Sequence, residues 1–177
     1  FTSRFVFPQL SLEGRRFWVI GMIPIERRTI LLGKFVSALL GSLLVSETLI
    51  VTSNLMLDIP LLLSVLHVAT VAAICLGLSG LSVGLGAMFP DFSEDNPSKI
   101  VAGFGGTLNL VMSLFFVTCV IILEAVPCHQ YYAKNAMSPE AFRAWMAGSL
   151  AGIAVLCLVT GLVPMMLGRR ALDRLEV

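Results

Sequence analysis

Long hydrophobic runs alternate with short polar segments along most of this chain. Four runs carry almost no charge, at residues 35–57, 61–89, 100–123 and 144–168, with Glu47 the one carboxylate inside them. A helix rises about 1.5 Å per residue, so about 20 residues cross a hydrocarbon core of about 30 Å. Buried helices of a soluble bundle would show a polar face at a period of 3.6 residues, which these runs lack. The pattern predicts an all-α, polytopic membrane helix bundle with four transmembrane helices.

Composition favours the same class. Hydrophobic residues make up 57% of the chain and charged residues 13%, and the mean hydropathy is +0.93. These values lie outside the range of ordinary soluble domains. The net charge of +1 gives no reason to expect a nucleic-acid partner. Because the chain begins at Phe1, inside apolar sequence, we expect it to be a fragment of a longer membrane protein.

Basic residues fall almost entirely on one side of the predicted bilayer. If the four spans alternate in direction, all Lys and Arg residues except Lys134 and Arg143 lie on the same side. By the positive-inside rule, that side is cytoplasmic. We therefore expect a multi-pass protein of a cell (plasma or inner) membrane. The cytoplasmic segment 1–34, the loop 90–99 and the tail 169–177 lie inside, and the loop 124–143 lies outside.

The charged, aromatic segment before the first span predicts a cytoplasmic amphipathic helix. Ser11 can cap a short helix that carries Glu13 in its first turn, and Pro24 ends it and begins a second helix. Gly14 and Gly21 weaken the first helix, so it needs something to dock on, either lipid headgroups or a protein cleft. The candidate contact residues are Glu13, Arg15, Arg16, Phe17, Trp18 and Pro24.

The loop between the second and third spans is unusually acidic for a cytoplasmic membrane loop. Asp91, Glu94 and Asp95 form either a solvated turn or a second cytoplasmic contact, since charge clusters set surface complementarity. Asn96 can cap the next helix, with Pro97 in its first turn.

Inside the spans, Glu47 is a candidate intramembrane polar site. A carboxylate there costs a few kcal/mol unless it is paired, protonated or facing water, so it is either functional or bonded to a neighbouring helix. His67 lies nearer the outer surface and is expected to be a satisfied interfacial histidine. Gly80 and Gly84 belong to a row of small residues at helical spacing, which predicts close helix packing or tolerance of rocking motions.

The remaining chemistry of the sequence is sparse. In the external loop, Ser138 is a predicted N-cap with Pro139 at the first helical position. Cys128 and His129 are only two potential ligands, so we expect no metal site. The sequence has no phosphate-binding Gly loop, nucleophile elbow or HExxH helix, and we expect neither catalysis nor a cofactor.

Two blocks of the chain resemble ABC-2-type exporter permeases. Glu13, the Ile-Pro-Ile at 23–25 and the ILLGK at 30–34 resemble the loop before the third span of that family, which includes the helix that docks on the ATP-binding subunit. The block 85–110, LGAMFPDFSEDNPSKIVAGFGGTLNL, resembles the loop between the fourth and fifth spans of a subgroup of ABC exporter permeases. The chain departs from the pattern at Glu26, where many members have Ser or Thr. Together the blocks cover roughly a third of the chain.

The resemblance implies a permease subunit that couples ATP hydrolysis by a separate ATP-binding subunit to export, and that is not itself an enzyme. It also implies a second permease copy as partner, and a fragment made of the last four of six spans. Residues 1–34 would be the cytoplasmic segment and residues 35–177 the transmembrane domain. Two alternatives stay open, a membrane-embedded enzyme that uses Glu47 and a membrane scaffold or anchor subunit. No residue set specifies a substrate.

Overall fold

The computed structural model describes residues 2–12, 27–92, 94, 96–132 and 138–174, and all regular structure in this part of the chain is helical. A π-helical turn precedes six α-helices. The elements are the turn Thr2–Val6, then α1 (Gln9–Leu12), α2 (Arg27–Met56), α3 (Leu61–Met88), α4 (Pro97–Ala102), α5 (Phe104–Tyr132) and α6 (Pro139–Arg174). The predicted all-α class is confirmed.

Four of these helices are long and apolar enough to cross a membrane, over Arg28–Met56, Leu61–Met88, Phe104–Tyr131 and Pro139–Leu172. Their outer surfaces expose large apolar side chains, among them Leu44 (71%), Phe115 (65%) and Val155 (61%). Soluble monomers rarely expose apolar patches of this extent, whereas lipid tails cover such side chains in a bilayer. The four predicted helices are therefore present, each long and apolar enough to cross a membrane.

Helix α3 lies at the centre of the bundle. It packs most extensively against α6 and also contacts α2 and α5. Nearly every residue from Gly77 to Ala87 is buried, so this half of α3 is enclosed by protein. The N-terminal segment completes the enclosure, since Val6 packs in one cluster with Val83, and Phe7 in another with Leu81.

Small residues set the distance between α3 and α6. A Cβ added to Gly80 would lie 2.6 Å from the Cα of Gly161, and one added to Gly84 would collide with the backbone of Pro164. On α6, a Cβ on Gly168 would lie 2.6 Å from the carbonyl oxygen of Gly84. The predicted close packing of the glycine row is confirmed, and it occurs within one chain.

The helix starts that the sequence predicts are also present. The Asn96 side chain accepts from the Ser98 N–H at 3.0 Å, with Pro97 as the first residue of α4. The Ser138 hydroxyl accepts from the Ala141 N–H at 3.3 Å, and α6 begins at Pro139. By contrast, Ser11 does not begin a helix, because it lies buried inside α1.

Candidate functional site

A row of buried and half-buried polar side chains runs along α3. We call it the polar seam. Its members come from α2, α3 and α5: Ser42, Glu47, Asn54, Ser64, His67, Thr70, Ser79, Ser82, Asn109 and Ser113. A polar group buried in lipid costs free energy unless it forms a hydrogen bond, often with a neighbouring helix. The cost of each group in the seam therefore depends on whether it has a hydrogen-bond partner.

The seam joins α2 to α3 at the end nearer the connection between these helices. Asn54, which is 5% exposed, donates from Nδ2 to the Ser64 hydroxyl at 3.0 Å. Its Oδ1 lies 3.2 Å from Nδ1 of His67. The prediction that His67 is a satisfied histidine is therefore confirmed, although its partner is a neighbouring helix rather than the interface.

At its other end the seam links α2 and α5 to α3. The hydroxyls of Ser42 and Ser79 lie 3.3 Å apart, and Ser82 donates to Oδ1 of Asn109 at 3.3 Å. Ser79, Ser82 and Asn109 are fully buried. Among the described residues, the Asn109 amide nitrogen and the Ser113 hydroxyl have no hydrogen-bond partner.

Glu47 lies on α2 between these two ends. Both carboxylate oxygens are shielded from solvent and have no hydrogen-bond partner in the described part of the chain. Within the described residues, Glu47 therefore makes no hydrogen bond to a neighbouring helix. On α3, the Thr70 hydroxyl is likewise buried without a partner among the described residues. An unpaired carboxylate at this depth costs a few kcal/mol.

A cavity of about 510 Å³ opens between α2 and α3 alongside the seam. Hydroxyls of Ser42, Ser46 and Ser53 line one side, and apolar side chains such as Val71 and Ile74 line the other. Ligand cavities in proteins have this make-up, with a mainly apolar wall and a few polar groups that orient the occupant.

Sequence reasoning missed most of this seam. It singled out Glu47 and His67 because they can ionise, and it passed over Asn54, Ser82 and Asn109. Asn within a membrane span is the signal that was available, since its amide needs partners in lipid. The pairing itself depends on helix rotation, which hydropathy does not encode.

The predicted cytoplasmic contacts are only partly described. Glu13, Arg15, Arg16, Phe17, Trp18 and Pro24 lie outside the described residues, and so does Asp95. The backbone N–H of Asp91 donates to the Ser11 hydroxyl at 3.1 Å, and Glu94 pairs with Lys99 at 3.2 Å. The acidic loop is thus joined to the N-terminal segment two residues before Glu13.

The described residues thus form an α-helical bundle with four helices long and apolar enough to cross a membrane, arranged around a polar seam. A family model described as "Putative ATP-binding cassette" matches residues 1–177, which is the whole chain. The chain belongs to this family. Neither the curated proteins nor the solved structures gave a match to it.

The family match corrects three predictions. The description of the family names an ATP-binding cassette, which is the ATPase of ABC transporters. It does not name an ABC-2-type permease. The resemblance to ABC-2-type permeases, the function as a permease served by a separate ATPase, and the expectation that the chain is not an enzyme are therefore wrong. The resembling blocks covered roughly a third of the chain, and the spans matched only in hydropathy, which unrelated membrane proteins share.

The residues that would bind ATP are not identified by sequence pattern. The chain contains no GxxxxGK[ST] stretch, the loop whose backbone amides and lysine hold phosphates in P-loop ATPases. The described residues are helical or in short connections, without a strand to precede such a loop. The family description therefore gives an activity to test and no residue to assign it to.

Proposed function

We propose that this chain is the membrane-embedded helical domain of an ATP-binding-cassette transporter system. The observation that carries the proposal is the match of the family model to the whole chain, together with four apolar helices in that same length. The domain comprises residues 35–177 and resides in a cell (plasma or inner) membrane. Its arginine-rich end faces the cytoplasm, as the distribution of basic residues favours.

Within the predicted segment 1–34, residues 2–10 pack into the bundle and α2 begins at Arg27. We therefore propose the stretch 11–26 as the cytoplasmic part, with a coupling-type helix that contacts the nucleotide-binding part of the same system. The hydrogen bond from Asp91 to Ser11 supports this role, because it joins the start of that segment to the acidic loop. A movement of residues 13–24 would then be passed to α3 and α4 through the acidic loop. Asp91, Glu94 and Asp95 of that loop form the second cytoplasmic contact.

Glu47 is proposed to be the polar site within the membrane. Intramembrane carboxylates are rare, face the bundle interior or water, and mark functional positions by default. Neither oxygen has a hydrogen-bond partner among the described residues, which supports the assignment, since a purely structural carboxylate would be paired.

Nucleotide dependence tests the proposal. Membranes that contain the full-length protein with Ser98→Cys are treated with ATP and vanadate, with ADP, or with no nucleotide, and the rate of thiol labelling is measured. Ser98 is exposed beside the acidic loop, so we expect its labelling rate to differ several-fold between the trapped and nucleotide-free states. Glu140→Cys, exposed at the opposite end, is the matched control.

Photolabelling with 8-azido-ATP in the same membranes shows where the nucleotide binds. Labelling of this chain, competed by ATP, would place the family's ATP-binding property within it. The proposal is contradicted if neither this chain nor any protein that copurifies with it is labelled and the Ser98→Cys rate is the same in every nucleotide state.

A further inference from the structure

A groove at the arginine-rich end of the bundle has a wall of apolar side chains and a mouth with two guanidinium groups. It has a volume of about 250 Å³ and lies between α2 and α6, with Leu76 of α3 contributing from between them. We call it the arginine groove. Arg28 on α2 and Arg169 on α6 both line it, and both side chains are exposed.

Helical spacing explains why one groove combines the two chemistries. On α2, Arg28, Leu32 and Phe35 follow one another at intervals of one turn. On α6, Leu162, Met166 and Arg169 repeat the arrangement in the opposite direction. Because the helices are antiparallel here, both arginines lie at the same end of the groove. Both apolar stretches extend from that end towards the middle of their helices.

The depth of the groove matches the structure of a lipid leaflet. Its lining on α6 extends from Arg169 to Gly161, about 12 Å of helix rise. With the arginine-rich end at the cytoplasmic surface, as the basic residues favour, the arginines would lie at the level of the headgroups and the apolar lining at the level where acyl chains begin.

We propose that the arginine groove binds an anionic phospholipid of the cytoplasmic leaflet. The phosphate-bearing headgroup is held by Arg28 and Arg169, and the start of one acyl chain lies against Leu32, Leu76 and Leu162. Guanidinium groups suit this role, because they donate two parallel hydrogen bonds to a phosphate. Basic pockets between membrane helices on the cytoplasmic side commonly hold such lipids.

A bound lipid would connect helices that otherwise share little surface. Contacts between α2 and α6 are far fewer than those that either helix makes with α3. A lipid that bridges Arg28 and Arg169 would hold these two outer helices together at the cytoplasmic end. Its binding would therefore stabilise the bundle as well as occupy the groove.

Native mass spectrometry of the full chain in detergent tests the proposal, with phosphatidylglycerol and phosphatidylcholine as the two probes. We expect a specific phosphatidylglycerol adduct and weaker binding of phosphatidylcholine. Arg28→Gln and Arg169→Gln should each weaken phosphatidylglycerol binding about fivefold, which corresponds to about 1 kcal/mol per basic residue near an anionic surface. Arg170→Gln, one residue along on α6 and not part of the groove lining, is the matched control and should change little.

A second pair of variants tests the apolar wall. Leu162→Trp fills the groove and should reduce binding of phosphatidylglycerol, whereas Leu158→Trp, equally exposed on α6 but outside the lining, should not. Equal binding of the two lipids, or equal weakening by Arg28→Gln and Arg170→Gln, would overturn the proposal in favour of general surface charge. A dimer that is lost with Leu162→Trp, without any lipid adduct in the unsubstituted chain, would also overturn it, because a second copy would then cover the groove.

Discussion

Gly84 allows α3 and α6 to pack closely because it has no Cβ atom. A Cβ there would collide with the backbone of Pro164, which cannot move without displacing α6. Close approach of backbones is the main source of van der Waals contact between membrane helices, because lipid is as apolar as their side chains.

We expect Gly84→Leu to destabilise the bundle by about 1–3 kcal/mol, the usual cost of overpacking. The measurement is the thermal unfolding midpoint Tm of the purified protein in detergent. Gly148→Leu is the control, since nothing lies within 4 Å of a Cβ added at Gly148 on the same helix as Pro164. Equal Tm values for the two variants would show that α3 and α6 are not in contact at Gly84.

Glu47 gives the opposite expectation for stability. Its carboxylate oxygens are buried without partners among the described residues, so removing the carboxylate removes a cost of a few kcal/mol. We expect Glu47→Leu to raise Tm, and Glu47→Gln to raise it less, because the amide is still polar. A fall in Tm with Glu47→Leu would mean that the carboxylate has a stabilising partner after all. A rise in Tm accompanied by loss of the nucleotide response at Ser98→Cys would identify Glu47 as functional.

At the scale of elements, polar contacts fix how the antiparallel helices α2 and α3 lie against each other. The hydroxyls of Ser42 and Ser79 lie 3.3 Å apart, and Asn54 bonds to Ser64 and His67 at the other end of the pair. The short connection turns at Asp58, whose φ of 49° is a left-handed conformation that Asp adopts more readily than most residues. These contacts fix both the register and the rotation of the two helices.

A designed cross-link tests that register. In a background with the four native cysteines replaced by Ala, Ser42→Cys with Ser79→Cys should form a disulfide on mild oxidation, since their side-chain atoms are already in contact. Ser42→Cys with Ser82→Cys is the control, because Ser82 faces Asn109 on α5 instead. Mass spectrometry of proteolytic fragments measures both. Preferential cross-linking of the control pair would mean that α3 is rotated from the position described.

At the scale of the whole molecule, the arrangement of charge predicts the direction of insertion. Arg28 and Arg169 line one groove at one end of the bundle, whereas Glu140 and Arg143 occur in the first turns of α6, at the other end. A transmembrane bundle with such an imbalance in basic residues inserts with the basic end towards the cytoplasm.

Impermeant thiol labelling in intact cells checks that direction, again in the background without native cysteines. Native Cys128 is a poor probe, since it lies within α5 rather than in an open loop. Glu140→Cys should react in intact cells, and Ser98→Cys should react only after lysis, because both positions are exposed at opposite ends. The reverse pattern would invert the orientation.

The sequence alone predicted the membrane helices, the caps at Asn96 and Ser138, and the glycine row, because each depends on local composition and spacing. It did not predict that Ser11 is buried inside α1 and bonds to Asp91, since that contact joins residues 80 positions apart. The specific family assignment failed for a related reason. Hydropathy and two loop motifs are features that several classes of membrane protein share. They therefore did not distinguish one family from another.

What the sequence determined by itself is a set of four helices long and apolar enough to cross a membrane, because helices satisfy every backbone group where lipid cannot. Only the tertiary structure decided which small residues meet and which polar groups pair along the seam. It showed that Glu47 has no hydrogen-bond partner among the described residues. It also brought Arg28 and Arg169, far apart in the chain, to one groove. The physical reason is that lipid treats all faces of an apolar helix alike, so rotation and partner choice come from contacts between helices and not from hydropathy.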